Sequence, residues 1–549
     1  MRTYATRACI LAAMVLLASG MPVSVFAQAP AAATPAPNPQ RPLTAIQTPV
    51  PAEQLRRLTS DEAVRLALEN NLGLQAARFT PQLQDLNLAV TRGTWTPALT
   101  TRFLQNGNNS PSTGFLSGSA TSTTSHQFAN NVSVEQTIPT GGSYSVGWDS
   151  ARQTTNSILS SYPTQLNSSL SLSVSQPLVR NFKVDATRNQ LYVTQKNREI
   201  ADVQLQQQVA VTTRSVRTAY WDLAYARASL QVAQQALDLA NESLRDTRTR
   251  VEIGTTPPID ITEAQAEVAN REEAVIVAQA QIETSEDALR TLIYDPNSPD
   301  FWTLHIETAD APEFNPVSVD GDAAVRNALE KRTDLSQSKK SIEANDLNIK
   351  YLRNQTLPDV RAQLDYGLSG VGGTYVPRNI LGTGGDIPTV SSSDRSYLSV
   401  LGDLVNNAYP RWTAQVNIAY PIGHSQQEAS LAQARLQYNQ NLTQLKNQQL
   451  QVVTQVREAA RQVVTNQKRV DTTRAAREFA RSRLDAEQRK FAAGTSTNFL
   501  VFQAQRDLAQ AANNELRAIL DYQKSLIDLD TVQQVPLNGG GTATVAAAR

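Results

Sequence analysis

Histidine and cysteine are the side chains through which a sequence most often announces metal or nucleophile chemistry, and this chain has little of either. His126, His305 and His424 are its only histidines; they are expected in different loops, and none stands at ligand spacing from another. The single cysteine, Cys9, lies in an apolar N-terminal run. Aspartates and glutamates are spread along polar helical faces, where a charge is normally solvated. No nucleophile motif or phosphate-cradling glycine loop occurs in the right context. The chain therefore does not read as an enzyme, and no cofactor or metal site is expected. Its even balance of 50 basic and 50 acidic residues gives no electrostatic reason to expect a nucleic-acid partner.

Residues of a different kind stand out. RVEIGTTPPIDITEAQAEVA (250–269) and KFAAGTSTNFLVFQAQRDLA (490–509) each break a helical pattern at an isolated glycine, 240 positions apart. In that frame Gly254-Thr255 meets Gly494-Thr495, Ala264-Gln265 meets Ala504-Gln505, Val216-Arg217 meets Val456-Arg457, and Leu244 meets Leu484. At an offset of 261, Asp61, Ala63-Val64-Arg65 and Pro97 meet Asp322, Ala324-Val325-Arg326 and Pro358. Two ordered, gap-free alignments point to tandem duplication of a unit of about 250 residues. Each glycine suits the left-handed conformation that ends a helix. Pro257-Pro258 then read as a stiff turn, and Asp260 as the N-cap of the next helix.

The elements that must position these turns follow from periodicity. Each unit opens with a helix (61–92, then 322–355), passes through strands, and continues in a very long helix (184–253, then 426–493). After the glycine comes a shorter helix (260–293, then 499–531). Val209, Val216, Leu223, Leu230, Leu237, Leu244 and Val251 recur every seventh residue, with Thr212, Ala219, Ala226, Ala233, Ala240 and Thr247 three places on. Ile261, Val268, Val275, Ile282 and Leu289 resume the pattern after the break, and Ala504, Ala511, Ala518 and Ser525 repeat it in the second unit. These are coiled-coil seams, and the polar faces between them suit rods wetted on more than one side. A solid bundle used as a spacer is the alternative that the helices alone leave open.

Alternating runs mark the strands. Leu170, Leu172 and Val174 alternate with serines; Val360, Ala362, Leu364, Tyr366 and Leu368 alternate with polar residues, as do Trp412, Ala414, Val416, Ile418 and Tyr420. A soluble sandwich shows the same alternation. Strand length, the aromatics Tyr144, Trp148, Trp412 and Tyr420 near strand ends, and an export signal favour a membrane barrel. That signal is Arg2 and Arg7 before CILAAMVLLASG, with a cleavage site after Ala27. The expected organisation is a signal peptide (1–27), a Pro/Ala-rich lead-in (28–54), a first repeat (55–294), a linker (295–321), a second repeat (322–532) and a flexible tail (533–549). One hairpin per repeat gives too few strands to close a barrel, so several chains must share one. QTIPTGGSYSVGWDS adds a hairpin in the first unit only, over 128–150.

With its leader, its duplicated helix, hairpin, long helix, glycine and helix, and the strand ends SQPL (175–178) and AYPI (419–422), the chain resembles the TolC family of outer-membrane efflux proteins. The resemblance implies a mainly α-helical chain with membrane β structure, assembled as a homotrimeric α-barrel and a shared β-barrel in outer-membrane lipid. It implies an exit duct of a tripartite efflux or type I secretion system, joined through a periplasmic adaptor to an inner-membrane pump. An adaptor or a coiled-coil spacer of the envelope is the alternative. On this resemblance the extra hairpin either widens the barrel, giving eighteen strands per trimer instead of twelve, or lies outside it. The family's docking role carries to Gly254, Thr255, Gly494 and Thr495. Where members have gate aspartates and an arginine, this chain has Leu500, Gln503 and Ser496. The candidate constriction is therefore Asp260, Phe499, Leu500 and Gln503, with Phe502 beside them. Asp260 reads as a helix cap before it reads as a gate residue, and Phe499 and Phe502 read equally as seam packing. An apolar ring of this kind closes a pore by dewetting.

Overall fold

The computed structural model describes residues 55–111, 121–157, 160–311, 314–377 and 392–534. The expected leader, the lead-in and the tail beyond 534 lie outside them. The chain begins with β1 (Leu55–Leu58), α1 (Ser60–Asn70) and α2 (Leu72–Gly93), followed by β2 (Ala98–Pro111), β3 (Ser122–Thr137), β4 (Ser143–Thr155) and β5 (Thr164–Pro177). The long α3 (Ala186–Glu252) and the shorter α4 (Ile259–Ile293) complete the first half, and β6 (His305–Thr308) pairs in parallel with β1. The second half runs α5 (Gly321–Lys331), α6 (Thr333–Gln355), β7 (Asp359–Tyr375), β8 (Ser393–Arg395), α7 (Tyr397–Val405), β9 (Pro410–Ala419), α8 (Gln426–Ala492) and α9 (Asn498–Gln533).

Two local expectations change. The opening helix of each half is broken in two, at Asn71 (ψ 118°) and Arg332 (ψ 128°). Asn71 leaves the helical region because its side chain is used twice: Oδ1 accepts from the Leu74 amide and Nδ2 donates to the Leu292 carbonyl. Asparagine competes with the helical backbone in this way wherever an outside partner is in reach. The histidines also differ: His126 lies within β3 and His305 opens β6, so only His424 is in a loop.

Both long helices contain 67 residues, each on the order of 100 Å at the α-helical rise. Every seam residue expected on α3 is buried or half-buried, and none is exposed. The duplication reappears in the packing. Val216 lies in a core with Ala63, Val64 and Leu289; Val456 lies in one with Ala324, Ala328 and Leu335. Arg217 pairs with Asp61 at 3.0 Å, and its repeat equivalent Arg457 approaches Asp322 at 3.5 Å. Tyr220 anchors the first core: its hydroxyl bonds the Leu58 carbonyl and the Asp310 carboxylate and accepts the Asp310 amide. Burial pushes its phenol well above the ordinary tyrosine range.

The remaining strands form one antiparallel sheet in the order β2-β3-β4-β5-β7, with β9 and β8 both on the far edge of β7. β9 pairs with Asp359–Leu368 and β8 with Gly373–Tyr375. The hairpin of the first half is therefore inside the sheet: β3 and β4 separate β2 from β5. Its turn is the expected one, with Gly141 at φ 83°.

Candidate functional site

Three parts of the molecule could carry function: the two glycine turns, the exposed face of α9 beside them, and the two faces of the sheet. The turns are built alike. Gly254 (φ 80°) and Gly494 (φ 74°) are left-handed, and a Cβ at either would meet open space, so conformation alone selects glycine there. At the first, Gly254 donates its amide to Val251 O and Thr255 to Arg250 O, at 3.0 and 2.9 Å. At the second, Gly494 donates to Phe491 O and Thr495 to Lys490 O, at 3.1 and 2.9 Å. This double bond pattern satisfies the last carbonyls of α3 and α8. Each threonine hydroxyl repeats its amide's bond, Thr255 to Arg250 O and Thr495 to Lys490 O.

Asp260 does not cap α4. The helix starts one residue earlier, with Pro258 at the N-cap and no side-chain cap bond. The fixed φ of proline already suits a helix start, and Asp260 is left in the first turn, half-buried, where a carboxylate complements the positive helix end.

The two turns are tied to each other and to the neighbouring helices. Arg250, in the last turn of α3, places its guanidinium 4.4 Å from the ring centroid of Phe491, in the last turn of α8. Ser496, two residues beyond Gly494, donates to Glu487, which also accepts from Lys490. The hydrogen bond from Lys490, with that of Ser496, holds the Glu487 carboxyl below its ordinary range. Further up, Asn498 bonds Thr247, Gln505 bonds Ser243, and Arg506 bridges to Glu267 on α4.

These contacts sort the residues of α9. Phe502 is 3% exposed and packs with Ala240, Leu244, Ala264 and Val268, so it belongs to the seam. Val501 and Ala504 pack on Leu484 of α8. Phe499, 56% exposed, and Leu500, 38% exposed, remain on the open face with half-buried Gln503. At 100° per residue the three share one side of the helix with Arg506 and Asp507. Asp260 belongs to α4 and not to this helix. The only local trace of the Arg250–Phe491 contact in the sequence is an arginine and a phenylalanine each within a turn of the paired glycines.

The faces of the sheet differ sharply. One carries Leu99, Val132, Val134, Val146, Trp148, Leu170, Leu172, Val174, Leu364, Tyr366, Trp412, Val416 and Ile418, brought into line by the register. Across the other face run Arg102, Asn131, Asp149, Asn167, Ser171, Ser173, Asp365 and Gln415, with Asn131 bonded to Asp149 and Ser173 to Asp365 at 2.6 Å each. An apolar face and a wet face on one long-stranded sheet suit a barrel wall between lipid and a water-filled lumen. No helix among the described residues is long and apolar enough to cross a membrane.

Comparison with known proteins agrees with this geometry. The profile of the family described as "Outer membrane efflux protein" matches residues 143–293 and 324–532, one segment in each repeat. No curated protein matches the chain. Among solved structures, it is similar to the outer-membrane channel OprN, at 16% identity and TM-score 0.59, over 86% of this chain and 89% of that one. VceC, from Vibrio cholerae, gives 14% identity and TM-score 0.58 over 86% and 95% of the two chains. The open-state MtrE channel of Neisseria gonorrhoeae gives 17% and 0.56 over 86% and 88%. Identities this low speak for the fold, and the family match speaks for the role; neither supports the alternative of an adaptor or spacer. A duplicated chain whose paired rods end in matched glycine turns and whose sheet separates oil from water thus belongs to the outer membrane efflux protein family, as an outer-membrane channel with its helices in the periplasm.

Proposed function

We propose that three copies of this chain close into a single passive conduit, and that its turns at Gly254-Thr255 and Gly494-Thr495 dock a periplasmic adaptor connected to an inner-membrane pump. The assembly reading is carried by one observation. α6 packs against both α3 and α8, whereas α2, its counterpart in the first repeat, packs against α3 and leaves Phe79, Leu83, Leu86 and Val90 exposed along one stripe. Repeat symmetry reserves that stripe for the α8 of a neighbouring copy, where Leu436 and Leu450, two heptads apart, are exposed. The outer edges of β2 and β9 join in the same way, and six ladder positions per copy make an eighteen-stranded barrel.

Phe499, Leu500 and Gln503 line the mouth of this conduit, with Asp260 at the start of the adjoining helix. A photo-crosslinking residue at Thr255 or at Thr495 tests the docking role in intact cells. Capture of a periplasmic adaptor from both positions is expected. Heat-modifiable trimers that form normally yet yield no adaptor from either turn would overturn docking while leaving the assembly intact.

A further inference from the structure

The short helix α7 rests on the apolar face of the sheet, at the end of the strands away from α3 and α8. Above Leu170 and Leu368 that face carries the small residues Ser150, Ser168, Gly370 and Gly372, with Leu166 paired to Gly372, and the helix fills the shallow seat that the small residues leave. A Cβ at Gly370 would stand 2.5 Å from the Val400 carbonyl oxygen, and one at Gly372 would collide with Val400 Cγ2. Tyr397 bonds Ser150 on β4 through its hydroxyl at 2.6 Å. Arg395 fixes the helix from its start, with both Asp403 carboxylate oxygens at 2.9 Å and the Val371 carbonyl at 3.0 Å. Just beyond its end, Asn407 receives the Tyr366 hydroxyl.

Val400 and Leu404 face the sheet and are buried. Leu398, 79% exposed, and Val405, 85% exposed, fall on the opposite side of the helix, within about 20° of each other. That side points away from the wet face and is continuous with the lipid-facing wall. The seat lies on β4, β5 and β7, inward of the edge where a neighbouring copy would join.

We infer that α7 is an interfacial helix whose Leu398 and Val405 insert into the acyl chains of the outer leaflet. A helix lying across strands, with one apolar side on the barrel and another outward, has the build of a membrane-plane anchor. Its role is to complete the hydrophobic wall over the small residues Ser150, Ser168, Gly370 and Gly372. This goes beyond the conduit reading, since it concerns how the barrel sits in lipid.

Single cysteines at Leu398 and Val405 test it, because no cysteine follows Cys9. Each is labelled with an environment-sensitive fluorophore in the full chain, assembled and reconstituted into phospholipid vesicles, with Leu172→Cys on central β5 as the barrel reference and Thr255→Cys as the aqueous one. Quenching by acyl-chain nitroxides and protection from iodide at 398 and 405, matching position 172, is expected. Iodide quenching at both, matching position 255, would overturn the inference, and so would protection from both quenchers, which would mean cover by a neighbouring copy. Loss of lipid quenching at position 172 as well would instead count against the barrel's placement.

Discussion

The guanidinium of Arg250 lies over the ring of Phe491, 4.4 Å from its centroid, and its Nη1 reaches the Phe491 carbonyl at 3.4 Å. This contact joins the ends of two rods that come from different repeats. A cation over an aromatic face is worth ~0.5–2 kcal/mol depending on how far water is excluded. Phe491→Ala and Arg250→Ala are each expected to raise the closed-state conductance of the reconstituted channel, and the double variant to add little to either. Additive effects in the double-variant cycle would show that the two side chains do not act together.

Gly254→Ala and Gly494→Ala place a Cβ in the left-handed region and are each expected to cost ~1–2 kcal/mol. Asparagine at the same positions should cost less, because it tolerates that region. Thermal unfolding followed by helical circular dichroism separates the two. Equal losses for Ala and Asn would mean that bulk, and not backbone conformation, sets the requirement.

Leu500→Ser wets an exposed apolar side chain on the open face of α9. If that face narrows the mouth, closed-state single-channel conductance rises. Phe502→Ser, in the seam, is expected instead to lower thermal stability by several kcal/mol through loss of buried contact. Unchanged conductance in Leu500→Ser would place the constriction elsewhere.

Removing β3 and β4 and joining β2 to β5 through one loop keeps the up-down alternation, as β7 and β9 already have it. Barrel diameter grows roughly in proportion to strand number, so the assembled barrel should shrink by about a third. Electron-microscopic averages of the detergent-purified trimer measure this directly. An unchanged diameter would mean that the hairpin does not help to close the wall.

Glu199 sits between Lys340 at 2.5 Å and Lys196 at 3.3 Å. The Lys340 hydrogen bond, with that of Lys196, holds its carboxyl below the ordinary glutamate value. Because the folded-state pKa is the depressed one, its stabilisation is complete above about pH 4.3 and is lost as pH falls through the folded value. The pair is partly solvated, so the effect is modest. Acidification from about pH 6 to about pH 3 should lower the melting temperature of the wild-type chain more than that of Glu199→Gln.

Much of this architecture is legible because its signals are local. Heptads place the seams, and an isolated glycine after a long helix places each turn, so the ends of α3, α4, α8 and α9 fall within two residues of their expected positions. Even the offsets carry three-dimensional content: Asp61 and Arg217, aligned separately to Asp322 and Arg457, make the same ion pair in both halves. The breaks at Asn71 and Arg332 were not legible, since a helical pattern continues through them and, at Asn71, the competing partner, Leu292, is more than two hundred residues away. Membership of β3 and β4 in the sheet depends on pairing with β2 and β5, which alternation alone does not specify. Asp260 differs from the expected cap because a proline can start a helix without any side-chain cap.

The descending rods α3 and α8 have the same number of residues, and the returning α4 and α9 differ by one, 35 against 36. Neither half can therefore grow independently. An added heptad in α3 alone would drop one turn by roughly 10 Å below the other and leave its returning helix out of step with the seam. Evolution, or an engineer, can lengthen this tube only by matched insertions of whole heptads in all four helices, so its depth is quantised by the sequence repeat itself.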